Sequence, residues 1–194
     1  MPRQALRPAA RGPRADDGER CTTRNHDRAL PSREVNDPMT PQKSHGTAPA
    51  WLDRSLYPFS SHWFESADGR MHYIDEGSGT PIVFVHGTPT WSFLYRHLVA
   101  RLMARHRVVA VDHLGFGLSD KPAAAPYEPR DHTRRLLALL DSLELPEATL
   151  VVHDFGGPIG LAAALARPDR VARLVLFNTW MWPVDDDPAI ARGA

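Results

Sequence analysis

The sequence predicts an α/β domain built on a mostly parallel sheet with flanking helices, and three observations carry that expectation. Short apolar runs stopped by glycine or polar residues recur from residue 71 onward. Stretches with helical apolar spacing fill the gaps between them. The two patterns alternate, which implies βαβ units with right-handed crossovers.

"MHYIDEG" (71–77) alternates and ends in a Gly-Ser-Gly turn, the pattern of a strand. "PIVFVHG" (81–87) is a continuous apolar run closed by glycine, as a strand buried on both faces requires. In "SFLYRHLVARLMAR" (92–105), Leu94, Leu98 and Leu102 fall four apart and predict the inner face of a helix. "RVVAVDHLGFG" (107–117) reads as a second buried strand entering a glycine-rich loop. Residues 131–145 are expected to be helical, with Leu136, Leu137, Leu140 and Leu143 inward. "ATLVVHD" (148–154) is a strand, "GPIGLAAALARP" (157–168) a helix ended by Pro168, and "VARLVLFN" (171–178) the last strand.

The chain divides into two unlike parts, an extension over 1–50 and a folded domain over 51–194. All seven Phe, five Trp and four Tyr lie at Trp51 or later. The first fifty residues instead carry eight arginines and seven prolines, too little apolar surface to offset chain entropy, so they are expected to be disordered. Asp16, Asp17, Glu19, Asp27, Glu34 and Asp37 are too many acids for an organelle transit peptide. Translation from an upstream start codon fits this stretch better, with Met39 as the alternative start.

With 23 Lys and Arg against 23 Asp and Glu, the neutral total argues against a nucleic-acid or anionic-membrane partner. No apolar run approaches a membrane span and no signal peptide is evident. The single Cys21 reads as a bystander thiol, and a cytoplasmic location is expected. No histidine spacing suggests a metal site, and no cofactor is implied.

In a sheet of this kind ligands bind outside the carboxyl ends of the strands. Three loops fall there: "HGTPTW" (86–91), "DHLGFGLSD" (112–120) and "HDFGG" (153–157). Asp154 sits where a strand turns sharply into a helix. Asp is also a favoured helix N-cap, so simple capping is the plainer alternative to a chemical role. Near a helix N-terminus its ionised, nucleophilic form is favoured. His86, His153, Asp112 and Ser119 are expected to order loops by hydrogen bonding. Trp91, Trp180 and Trp182 either line a pocket or pack.

Together the three loops resemble those of the α/β-hydrolases, and within that fold the haloalkane dehalogenases, from about Tyr57 to Pro183. "HGTPTWSFLYR" is similar to that family's His-Gly-x-Pro-Thr stretch, "DHLGFGLSDKP" to its Asp-x-x-Gly-x-Gly-x-Ser loop, and "VVHDFGG" to its nucleophile elbow. The resemblance implies that Asp154 attacks a saturated carbon of a small apolar substrate, a haloalkane or an epoxide. Water activated by a histidine then hydrolyses the resulting alkyl-enzyme ester. It also implies that the backbone N–H groups of Thr88 and Phe155 form the oxyanion hole, with Trp91 beside the substrate.

Val152, two residues before Asp154, favours dehalogenases over epoxide hydrolases, which usually have glycine there. Phe155 and Thr88 depart from the dehalogenase pattern, in which side-chain N–H donors at those places hold the halide. Asn178 resembles the branches whose histidine-orienting acid follows a later strand. The family's helical cap, acid and catalytic histidine come after the segment matched here. The expectation for the 194 residues is therefore an incomplete fold, poorly soluble and without turnover. A non-catalytic remnant or binding protein is the alternative from another class.

Overall fold

A computed structural model describes residues 49–181. The arginine-rich extension with Cys21 and Met39, and Trp182 at the other end, lie outside the described residues. The elements are β1 (His62–Ser66), β2 (Gly69–Glu76), β3 (Pro81–Val85), α1 (Arg96–Leu102), β4 (Arg107–Val111), α2 (Pro129–Ser142), β5 (Ala148–His153), α3 (Gly156–Ala166) and β6 (Val171–Phe177). Short 3-10 turns precede α1 (Ser92–Tyr95) and β6 (Pro168–Arg170).

The six strands form one sheet in the order β1-β2-β4-β3-β5-β6. β4, β3, β5 and β6 run parallel, while β2 joins β4 and β1 joins β2 antiparallel. Alternating side chains of the central strands serve two cores. Val83, Val85, Val109, Val111, Leu150 and Val152 face α2 and α3. Ile82, Phe84, Val108, Ala110 and Val151 face α1 and the segment carrying Leu52, Tyr57 and Phe59. Burial on both faces is why β3 to β5 read as unbroken apolar runs.

Two differences from the sequence expectations have clear causes. β1 carries no alternating signal because Trp63 and Phe64 are both buried, one in each core. Across the 3-10 turn and α1, Leu94 and Leu98 face outward, and the buried side is Tyr95 and Val99, with Leu102 and Met103 packed against the same core. Both stripes have helical spacing, so periodicity alone does not choose between them. The choice falls to Tyr95, whose ring packs 4.6 Å from Phe84 and whose hydroxyl donates to the Val85 carbonyl at 3.0 Å.

β6 is the edge of the sheet, and Leu174, Val175, Leu176 and Phe177 are exposed on its two sides. An apolar edge strand seven residues long is a template for further pairing.

Candidate active site

β5 ends at His153, and the chain reverses into α3 through Asp154, whose φ is +51°. A residue with a side chain in that left-handed region costs roughly 1–2 kcal/mol, least for Asp and Asn. The conformation is held by the end of β6. The Asp154 N–H is shared between the carbonyls of Asn178 at 3.2 Å and Phe177 at 3.4 Å, and the Thr179 hydroxyl donates to the Asp154 carbonyl at 2.6 Å. Thr179 carried no signal in the sequence. Thr179→Val keeps its shape and removes that bond. The expected result in urea unfolding is a loss of about 0.5–1.5 kcal/mol, and an unchanged midpoint would remove Thr179 from the support of the turn.

The Asp154 carboxylate does not cap α3. The N-cap is Phe155 and no side-chain cap bond is present. Instead Oδ1 accepts the backbone N–H of Thr88 at 2.9 Å, across from the β3 loop. Close approach makes this contact. A Cβ at Gly87 would overlap the Asp154 carboxylate and stand 2.6 Å from the Phe155 nitrogen. At Gly156 it would meet the Val85 carbonyl, a backbone clash as the elbow requires. At Gly157 the obstacle is the side chain of Thr179 rather than backbone.

The loop bearing Thr88 is tied down from both ends. His86 is buried, its Nδ1 bonded to the Gly87 carbonyl at 2.9 Å and its Nε2 to the backbone N–H of His113 at 3.0 Å. Because a carbonyl only accepts and a backbone N–H only donates, this pattern assigns the neutral Nδ1–H tautomer. Burial lowers the His86 pKa in the same sense. At the other end the Ser92 N–H donates to Asp112 Oδ1 at 2.8 Å. His153 differs from the loop-ordering role expected of it, since its Nδ1 is buried without a partner.

Asp112 is wholly buried and serves three segments at once. Its Oδ2 meets His72 Nδ1 at 2.9 Å and the Leu118 N–H at 2.9 Å. Ser119 donates its hydroxyl to the Asp112 carbonyl and accepts the His72 N–H. Burial pushes the Asp112 carboxyl up, but the bonds from His72, Ser92 and Leu118 outweigh it and hold it below the usual carboxylate range. His72 lies in a strand motif read only for its alternation, and its part in ordering the glycine-rich loop was not legible there.

A cavity of about 460 Å³ opens beside the elbow. Gly87, Thr88 and Phe155, which surround the Asp154 carboxylate, line it, although Asp154 itself does not. Trp91 is not among the lining residues. It stacks on Phe93 at 5.3 Å and lies tilted against Tyr57, also at 5.3 Å, on the α1 side of the sheet. Trp180 stands edge-on to Phe155, with ring centroids 5.2 Å apart, and is the one described tryptophan in contact with that residue. Among the described residues no group of His, Cys, Asp and Glu is placed to hold a metal ion, and no helix is long and apolar enough to cross a membrane.

A parallel strand that turns sharply into a helix at a left-handed residue, opposite a donating backbone N–H, has the strand–turn–helix geometry of a hydrolase elbow. The alpha/beta hydrolase fold family matches residues 80–192, and the chain belongs to that family. It is 50% identical over 133 residues to haloalkane dehalogenase 2 of Mycobacterium tuberculosis, covering 69% of this chain and 46% of that protein. It is 46% identical over 135 residues to a cis-3-alkyl-4-alkyloxetan-2-one decarboxylase of Shewanella oneidensis, covering 68% and 42%. The crystal structure of the haloalkane dehalogenase DatA from Agrobacterium tumefaciens C58 matches with a TM-score of 0.59 at 38% identity, over 62% of this chain and 41% of that one. The chain thus spans less than half the length of these relatives.

Proposed function

We propose that Asp154 is the nucleophile of a dehalogenase-like hydrolase that forms an alkyl-enzyme ester. The observation that carries this reading is the carboxylate held at a left-handed turn with Thr88 N–H on Oδ1. That bond leaves Oδ2 to attack a saturated carbon of a small apolar substrate. As the new C–O bond forms, the carbon–halogen bond breaks and the halide leaves with the electron pair. Oδ1 becomes the carbonyl oxygen of the ester, already under the Thr88 donor. When water attacks that carbonyl, the charge collects on Oδ1, where the N–H groups of Thr88 and Phe155 form the oxyanion hole.

Hydrolysis also needs a base to take the proton from water. Among the described residues no histidine hydrogen-bonds the Asp154 carboxylate. In this chain the ester is therefore expected to form once and persist.

Phe155 favours a second reading. Its side chain has no N–H to offer a departing halide, and a halide in a dry site without donors is poorly stabilised. An epoxide, or a strained four-membered lactone of the kind named for the Shewanella relative, keeps its leaving oxygen within the molecule. Attack by Oδ2 then breaks the ring C–O bond as the new C–O bond forms, and the freed oxygen stays on the bound product, as a carboxylate from the lactone or as an alkoxide from the epoxide that takes a proton from water.

Incubation with 1-bromohexane or with styrene oxide, followed by mass spectrometry of tryptic peptides, tests both. An adduct on the peptide carrying Asp154, with one bromide released per adduct, supports the dehalogenase. An adduct from the epoxide alone supports ring opening. If neither reagent modifies Asp154 in folded protein, the nucleophile reading is wrong and a binding role remains.

A further inference from the structure

One wall of the cavity is built from three imidazoles tilted against one another. His86 lies 4.5 Å from His113 between ring centroids, and His113 lies 5.1 Å from His132. All three line the cavity and are buried. The surrounding walls are Phe116, Tyr127, Pro129 and Ile159. His113 is the anomaly. Neither Nδ1 nor Nε2 has a hydrogen-bond partner. Burial above all, with the neighbouring His86, His132 and Arg135, keeps it neutral against the opposing pull of the His86 backbone. A neutral imidazole carries one donor and one acceptor, and leaving both unmade in a buried place is costly. A cavity that meets a doubly unsatisfied ring is the place where a ligand gains most from supplying both partners.

We propose that this cavity is a subsite for an uncharged aryl or alkyl arm that carries a hydroxyl group, with His113 as the hydrogen-bonding partner of that hydroxyl. As a statement about substrates it rests on the reading of Asp154 as nucleophile, since Gly87, Thr88 and Phe155 join the cavity to the elbow. A hydroxyl both donates and accepts, matching the imidazole. The nitrogens have almost no exposed surface of their own, so the proposed bond requires the His113 ring to turn about its Cβ–Cγ bond and present one of them to the cavity. The aromatic walls suit a ring or a short chain. Lys121 stands at the rim with its ammonium tied to the carbonyls of Gly117 and Ser119, both at 2.9 Å, so the imidazole floor offers no free cation to an anionic arm.

The test is direct binding to the 194-residue protein of benzyl alcohol, toluene and phenylacetate, followed by the ¹⁵N resonances of the histidine rings. Benzyl alcohol is expected to bind about tenfold more tightly than toluene and to move the His113 ring nitrogens. His113→Phe should erase the preference, and His113→Gln, which keeps a donor and an acceptor, should retain part of it. If the Phe variant does not fold, the wild-type titration alone decides. Equal affinities, an unmoved His113 resonance, tighter binding of phenylacetate, or no saturable binding because the cavity takes only water would each overturn the proposal. The same titration on Asp154→Asn separates it from the nucleophile reading. Binding that persists while Asp154 fails to alkylate leaves a hydroxyl-selective cavity without the chemistry beside it.

Discussion

Gly87→Ala is expected to lower the rate of Asp154 alkylation by a hundredfold or more while the chain still folds. The added methyl would overlap the Asp154 carboxylate and press on the Phe155 nitrogen, so it strikes the proposed nucleophile and one proposed oxyanion donor together. The φ of Gly87 is not in the left-handed region, so alanine meets no backbone penalty, and the whole effect is one of space. Relief requires the β3 loop and the elbow to separate. That breaks the 2.9 Å bond from Thr88 to Oδ1 and turns the attacking oxygen away. A displacement of about 1 Å at a reacting centre costs on the order of 10²-fold, and forcing one methyl into a packed contact costs about 1–3 kcal/mol of stability. Adduct formation by mass spectrometry and urea unfolding measure the two separately. Alkylation at the wild-type rate would mean that the approach of the two loops is not what positions the carboxylate.

The parts of this molecule legible in the sequence are those that a local pattern dictates. β3, β4 and β5 are apolar on both faces because both faces are buried, and the elbow is visible because its turn demands small residues next to Asp154. The ties between segments distant in sequence were not legible from any local pattern, and only that of Thr88 to Asp154 was supplied by the family resemblance. Thr88 and Asp154 are 66 residues apart, His72 and Asp112 are 40 apart, and Thr179 and Asp154 are 25 apart. Each of these contacts depends on strand order, which no single stretch encodes. The burial of α1 shows the same limit at short range, since two apolar stripes compete and a hydroxyl from Tyr95 to β3 selects one.

Gly87 and Thr179 show why the elbow needs its neighbours. Asp154 is held in a costly conformation by β6, and its carboxylate is aimed by the β3 loop, so the geometry belongs to three strands at once. Thr88 in turn depends on His86 and, through it, on the backbone of His113. His86 and His113 are therefore part of the support of the proposed nucleophile as well as of the wall of the cavity.

That dependence makes the fold sensitive to mild acid, in a direction set by the histidines. Burial lowers the pKa of His86, drives that of His113 well below the ordinary value of 6.5, and brings His132 down to about 4. Arg135, buried at the same end of α2, opposes protonation of His113 and His132, while Asp131 and the Tyr127 carbonyl favour it at His132 and Asp112 favours it at His86. In the unfolded chain these rings take up protons near pH 6.5, and in the folded chain they resist. Their contribution is complete above that value and is lost as pH falls toward 4. From His132 alone the loss is at most about 3 kcal/mol, and nearer 2 once solvent screening is allowed for. Below that window Asp68, Asp112 and Asp120, whose folded pKa values are lowered, begin to add their own loss as they protonate. Urea midpoints measured from pH 8 to 4.5 should be level at the alkaline end and fall steadily below about pH 6.5. His132→Asn should reduce the slope between pH 6 and 5 by close to one proton, about 1.4 kcal/mol per pH unit. Its ring no longer titrates, whereas the carboxylates are untouched. A wild-type stability that stays level from pH 7 to 5 would show that these imidazoles accept protons in the folded state. His86 could not do so and still accept the His113 N–H that anchors the nucleophile's loop.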